Sequence, residues 1–261
     1  MQNNHLNKIK SLGYIPVGLG NNIQSQEFIT DDTKNNISKK NAFYGEYTFH
    51  YWLWRNKLAE LNNTWIGFCQ YRKFWAKDII EENIYNLNDL NKCILKDVSQ
   101  KIANKESIIG EPLFINQFRF SKFIKKNLKK MILNPVLFLD KNKRNIKFHF
   151  DMMHGDGNLD KAINLLDHDE KFDFRHFINN EVSFNPHNMF ICKSNIILNK
   201  YYESVFPWLE RCEKVFGFDL KGYGLKRIYG FLAERYMSYW FKKYTKYTTL
   251  PIIFNDISEL N

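Results

Sequence analysis

Ile66-Gly67-Phe68-Cys69-Gln70-Tyr71-Arg72-Lys73-Phe74-Trp75 is a short apolar run that breaks into two adjacent cations held between aromatics. The run has strand character, and residues 64–70 are predicted as a strand with a polar end. In open α/β sheets, ligands bind just beyond the carboxyl ends of strands. Cations fixed there face a phosphate or carboxylate, and Arg72 can grip such a group bidentately. The same ten residues also fit a strand that ends in solvated charges, the default fate of Lys and Arg.

Working outward, Ser38 is an expected N-cap for a helix over about 39–61, in which Phe43, Tyr47, Tyr51 and Trp54 recur at helical spacing as a core stripe. Glu46 and His50 form an i, i+4 polar pair on another face. Residues 78–105 are polar with periodic Ile and Leu, predicting a helix and a surface loop, and 111–115 read as a further strand. Asn185-Pro186-His187-Asn188 is a turn feeding a buried strand through Met189-Phe190-Ile191, and a helix is expected over about 196–216. Gly222, Gly224 and Gly230 bracket a loop that enters a last helix, with Glu234 and Arg235 at its start. For Glu234 a structural salt bridge competes with a catalytic role. His149, Asp151 and His154 imitate metal-ligand spacing without a well-placed third nitrogen or sulfur. A histidine in a glycine-flanked loop, as His154 is expected to be, better suits a general base.

Composition narrows the class. The 261 residues suit one domain, read as 1–261, and 16% aromatic content supplies both core and stacking surface. Cys69, Cys93, Cys192 and Cys212 lie far apart, with no CxxC pair, which predicts free thiols in a reducing compartment. No apolar run approaches the roughly 20 residues of a membrane span, and the first residues lack a signal-peptide core, so a cytoplasmic protein is expected. The net charge is +10, and 119–147 holds ten basic residues against Asp140 alone. Within it Phe120, Phe123, Ile124, Leu128, Met131 and Ile132 share a helical stripe and lysines fill the rest, the pattern of an interfacial amphipathic insert. A core-packed helix with a solvated lysine face fits equally. The island is local and carries no RNA-binding signature, so no nucleic-acid partner is expected.

Five motifs then fall in order: Asn36-Ile37-Ser38-Lys39-Lys40-Asn41; Glu46-Tyr47-Thr48 with Tyr51-Trp52-Leu53-Trp54-Arg55-Asn56; the 66–74 stretch; Asn188-Met189-Phe190-Ile191; and Tyr229-Gly230-Phe231-Leu232-Ala233-Glu234-Arg235. This series resembles the capsular-polysaccharide glycosyltransferase family called DUF4422, some members of which are similar to galactofuranosyltransferases. The resemblance spans residues 14 to about 253. It implies an α/β, GT-A-like (Rossmann-type) fold with a mixed central sheet flanked by helices. It also implies a hexosyltransferase-like activity that builds capsule or O-antigen from a nucleotide sugar, with a UDP-sugar such as UDP-galactofuranose as donor. Three departures stand out. Lys34 and Asn35 replace a Gly-Asp pair, Gln70 and Lys73 replace a His and an Arg, and the usual opening strand is missing before Leu12.

By this resemblance Asn36, Ser38, Lys40 and Asn41 line the donor site or cap the helix beside it, and Glu46 and Asn188 have acceptor or structural roles. Tyr71 offers a stacking surface. Many GT-A enzymes hold a metal on an Asp-X-Asp motif where this chain has Gln70-Tyr71-Arg72-Lys73. Arg72 and Lys73, with Arg227 and Arg235 behind them, are therefore expected to neutralise the leaving diphosphate without a cofactor, with Mn or Mg left open. Glu234, then His154, are the candidate bases. The expected partners are the donor, a lipid-linked or oligosaccharide acceptor, and an anionic membrane surface met by 119–147 on the inner face of the cytoplasmic membrane. The rival is a membrane-associated assembly protein that has lost catalysis.

Overall fold

The computed structural model describes residues 3–20, 25–62, 64–80, 83–98, 102, 104–117 and 140–260. The predicted amphipathic helix in 120–133 lies outside them. The architecture is α/β with a mixed sheet. Its four central strands run in the order Ile66–Gly67, Phe190–Cys192, Ser107–Gly110, Tyr247–Leu250, the first two pairings antiparallel and the last parallel.

Strand alternation decides what lies on each side. Phe190, Cys192 and Ile109 point into the main aromatic core, while Ile191, Met189 and Ile108 pack with Trp75 on the opposite face. Both faces are thus covered, which is why Asn-Met-Phe-Ile reads as a near-continuous apolar run. On the first face lie the helices Asn195–Phe216 and Ile228–Tyr244; Phe190 meets Tyr201 at 5.6 Å and Phe241 at 4.8 Å between ring centroids. Ser194 caps the longer helix by accepting from the Ile197 amide at 3.3 Å. Across the second face the strand Lys73–Trp75 pairs antiparallel with Ile252–Phe254, and Phe74 and Ile253 turn away into a third core with Ile9 and Leu12. That core includes an N-terminal helix, Asn3–Ser11.

The expected helix over 39–61 is two pieces. A 3-10 turn (Ser38–Lys40) leads into Asn41–Tyr44, and after a break at Gly45 a second helix runs Tyr47–Asn56. Ser38 is not its cap, because its hydroxyl donates to Asn36 Oδ1 at 2.9 Å and Ile37 holds the cap position. The stripe itself is core: Tyr47 is fully buried, and Phe43, Tyr51 and Trp54 pack against the same cluster. Ser107–Gly110, wholly buried, is a strand that falls between the expected polar segment 78–105 and the expected strand 111–115. The 149–154 stretch is not a loop but the end of a helix, Ile146–His154.

Candidate active site

The chain turns tightly between the first and second strands of the opening motif. Gln70 and Lys73 exchange both backbone hydrogen bonds, at 3.1 and 3.0 Å, leaving Tyr71 and Arg72 at the tip of a two-residue turn. Residues paired in this way project side chains to one face. Gln70 and Lys73 therefore stand together, and the Lys73 ammonium donates to Gln70 Oε1 at 2.9 Å. The turn tip goes elsewhere. Arg72 is 60% exposed, pairs with Asp256 at 2.5 Å and stacks on Tyr71, whose ring lies against His5.

Four other segments converge on Gln70 and Lys73. The break at Gly45 releases Glu46, whose Oε1 accepts from Gln70 Nε2 at 3.3 Å and from Asn188 Nδ2 at 3.0 Å. Arg227, just ahead of the helix Ile228–Tyr244, reaches the other Glu46 oxygen at 3.5 Å. Gly45 has φ +59°, and a Cβ there would stand 2.1 Å from Arg227 Nη2, so only glycine permits this approach. His187 and Asn188 take the left-handed conformation, φ 79° and 52°. This bend aims the His187 amide at Glu234 Oε1 (2.6 Å) and its carbonyl at Gln70 Nε2 (2.9 Å). Glu234 is held on its other oxygen by Arg235.

The electrostatics follow from this crowding. Burial pushes the Glu46 carboxyl above the usual range and Glu234 adds to it, against the pull of Asn188 and Arg227. Burial lowers Lys73, while Glu46 and Glu234 favour its charged form and Arg227 opposes it. His187 is lowered to about 4 by burial and by Lys73. The Asn188 side-chain oxygen is buried without a hydrogen-bond partner. The result is a compact set of two carboxylates and two cations, Lys73 and Arg227, floored by amide groups.

Other expected residues have their own partners. Lys40 is paired with both oxygens of Glu213 at 2.7 and 2.8 Å. Asn41 donates to the Gly45 carbonyl and to Thr48, fixing the helix break, and Asn36 shapes the preceding turn. His154 is buried, bonded to the Gly224 carbonyl at 3.0 Å and stacked on Phe231 at 4.0 Å. That is a packing role, since its ring is held between two elements. Arg235 is 2% exposed, lies 3.8 Å over the Phe184 ring and faces His149 at 3.3 Å, so it braces Glu234 from behind. Glu46 and His50 do not pair: His50 faces the core and bonds Tyr202 at 2.7 Å.

Among the described residues no three His, Cys, Asp or Glu side chains converge as a metal site. His149 faces Arg235, Asp151 binds Lys147, and His154 binds Gly224, so the imitation of ligand spacing is not a cluster. The two site carboxylates face Arg227 and Arg235. The participant sequence reading missed is His187. Its signal was an Asn-Pro-His-Asn turn, two residue types that tolerate positive φ, immediately before a buried strand.

A mixed sheet with this polar turn at a strand end, facing a carboxylate on a late helix, is the plan of a GT-A-like glycosyltransferase fold. A solved structure, the apo form of the WbbM bifunctional glycosyltransferase, superposes with a TM-score of 0.61 at 20% identity, covering 87% of this chain. This chain spans 39% of that protein's length. The chain belongs to the family described as a domain of unknown function, DUF4422, which matches residues 2–246. A comparison with curated proteins gave no match.

Proposed function

We propose that this protein is a glycosyltransferase that moves a sugar from a nucleotide-sugar donor, a UDP-sugar such as UDP-galactofuranose, to a glycan acceptor in capsule or O-antigen synthesis. The observation that carries the reading is the clustering of Lys73, Arg227, Glu46 and Glu234 at a strand end of a GT-A-like fold, where Arg227 faces Glu46 at 3.5 Å and both carboxylates favour the charged form of Lys73. In the transfer, an acceptor hydroxyl oxygen bonds to the anomeric carbon as the bond to the diphosphate oxygen breaks. The electron pair leaves with the diphosphate, and the hydroxyl proton passes to a base. Lys73 and Arg227 lie where the growing negative charge is neutralised by fixed cations. Arg72 joins them only by leaving Asp256.

Of the two carboxylates, Glu46 is the better proton acceptor. It is 25% exposed against 12% for Glu234, and its raised pKa brings it nearer the working pH. Glu234, fixed by the His187 amide and Arg235, acts as the anchor that orients the 187–188 bend.

The test is a thermal shift with UDP and UDP-sugars, with and without EDTA. A ligand at 100 times its Kd adds about 2.7 kcal/mol of stability. Wild-type protein should shift in both conditions, and Lys73→Ala and Arg227→Ala should not. In turnover, Glu46→Gln should keep the UDP shift and lose transfer. A shift that survives both cation variants, or one that requires a divalent metal, rejects this site. The assembly-protein reading is distinguished by nucleotide binding without any turnover in the wild type.

A further inference from the structure

A cleft of about 660 Å³ adjoins the charged site and is not used by the donor reading above. Its walls include Ile79, Tyr85, Glu111 and Phe254. Three of these are large apolar side chains left open to solvent: Ile79 is 75% exposed, Tyr85 74% and Phe254 64%. Nothing in the packing of the described residues accounts for that exposure.

Phe254 ties the cleft to the chemistry. It lies opposite Lys73 in the antiparallel strand pair, so both side chains leave the same face. The Lys73 ammonium stands 5.9 Å over its ring, and the His187 ring meets it edge-on at 5.1 Å. The cleft therefore begins one aromatic ring away from Lys73, one of the two cations assigned to the diphosphate. Its volume falls within the roughly 300–1,000 Å³ of small-molecule sites.

The lining is mixed in a particular way. Two open aromatic rings are accompanied by the Glu111 carboxylate, the Asn83 amide and the Tyr85 hydroxyl, with Asn83 donating to Tyr85 at 3.1 Å. A hydrocarbon chain gains nothing from a carboxylate or amide. A sugar has apolar C–H faces, which lie on aromatic rings, and hydroxyl edges, which need hydrogen-bond partners. We propose that this cleft is the acceptor subsite, in which a carbohydrate chain stacks on Phe254 and Tyr85 and is held through its hydroxyls by Glu111 and Asn83. The inference rests on the glycosyltransferase reading, which it deepens by giving the acceptor a place.

The test uses the whole chain and saturation-transfer NMR with octyl β-D-galactopyranoside and octyl β-D-galactofuranoside, each with and without UDP. An octyl sulfobetaine carries the same tail without a sugar. Tyr85→Ala and Glu111→Ala change exposed side chains outside the charged cluster, and folding is checked by their unfolding midpoints. Saturation should reach the sugar protons of at least one glycoside. Loss of one hydrogen-bonding or stacking partner should weaken binding about tenfold in each variant. The UDP thermal shift should remain as in wild type. The inference is overturned if the variants bind like wild type, if no glycoside receives saturation, or if saturation is confined to the octyl tail as with the sulfobetaine. Sugar binding of the expected kind without any UDP shift rejects the transferase reading alone and leaves a carbohydrate-binding cleft.

Discussion

His50 shows how one side chain carries a measurable property of the fold. It is 2% exposed, bonded to Tyr202, and packed against the Phe68 ring at 4.3 Å between centroids. Burial disfavours its charged form and lowers its pKa to about 3. In the unfolded chain it binds a proton below about 6.5. Between these values the unfolded state holds the extra proton, so this residue makes stability fall as pH falls from about 6.5 toward 3. Glu46 and Asp31, both raised, act in the opposite sense, so the wild-type curve alone does not isolate the histidine. The difference between wild type and His50→Gln does. Urea midpoints between pH 6 and 4.5 should show a wild-type slope steeper by up to about 1.4 kcal/mol per pH unit. Equal slopes would mean that the buried imidazole is not held neutral.

At the scale of elements, the break between Asn41–Tyr44 and Tyr47–Asn56 does the most for the site. Glu46 caps Tyr47–Asn56 just after the break, its carbonyl accepting from the His50 amide at 3.3 Å. Because Gly45 turns the chain just ahead of it, the Glu46 carboxylate meets Gln70, Asn188 and Arg227. Gly45→Ala should therefore fail twice, through an unfavourable backbone at φ +59° and through collision with the Arg227 guanidinium. The expected loss is about 1–3 kcal/mol of stability together with the UDP shift. Combining it with Arg227→Ala should recover part of the stability, since the collision goes and the strain stays, but none of the UDP binding. Equal stability of the single and double variants would show that Arg227 does not approach Gly45. Sequence reading caught the aromatic stripe, because a period near four survives in both pieces. It missed the break, because glycine within a periodic run is tolerated as often as it stops a helix. Ser107–Gly110 was missed for a related reason: four residues are too few to show a period, and burial on both faces removes the alternation. The turn at 70–73 was legible as a polar strand end. That it would turn Arg72 outward and Lys73 inward depends on cross-strand pairing, which no local pattern contains. Motif order picked out Glu234 and Asn188, and the fold brings both close to Glu46. His154 was misplaced because the glycine after it suggested a loop, whereas Gly155 simply ends the helix.

For the whole molecule, charge is the property that the fold of the described residues does not absorb. Residues 119–147 carry +9 of the chain's +10. At the end of that stretch Lys147 is already committed, paired with Asp151 at 2.6 Å and Asp160 at 2.7 Å, and its charge is spent internally. The lysines at 122, 125, 126, 129 and 130 share a stretch with an apolar stripe and no acidic residue. Among the described residues no helix is long and apolar enough to cross a membrane. Each lysine near an anionic leaflet contributes about 1 kcal/mol, and that attraction fades beyond a Debye length of about 8 Å at physiological salt. Binding to vesicles containing phosphatidylserine should thus be strong at low ionic strength and fall steeply as salt rises. Changing the five lysines to Gln should weaken it by about three orders of magnitude, as roughly 4–5 kcal/mol implies. The UDP shift should be unaffected, because those positions lie outside the Lys73–Arg227 cluster. Vesicle binding that ignores both salt and the five substitutions would locate any membrane contact elsewhere and return the lysine face to the role of a solvated surface.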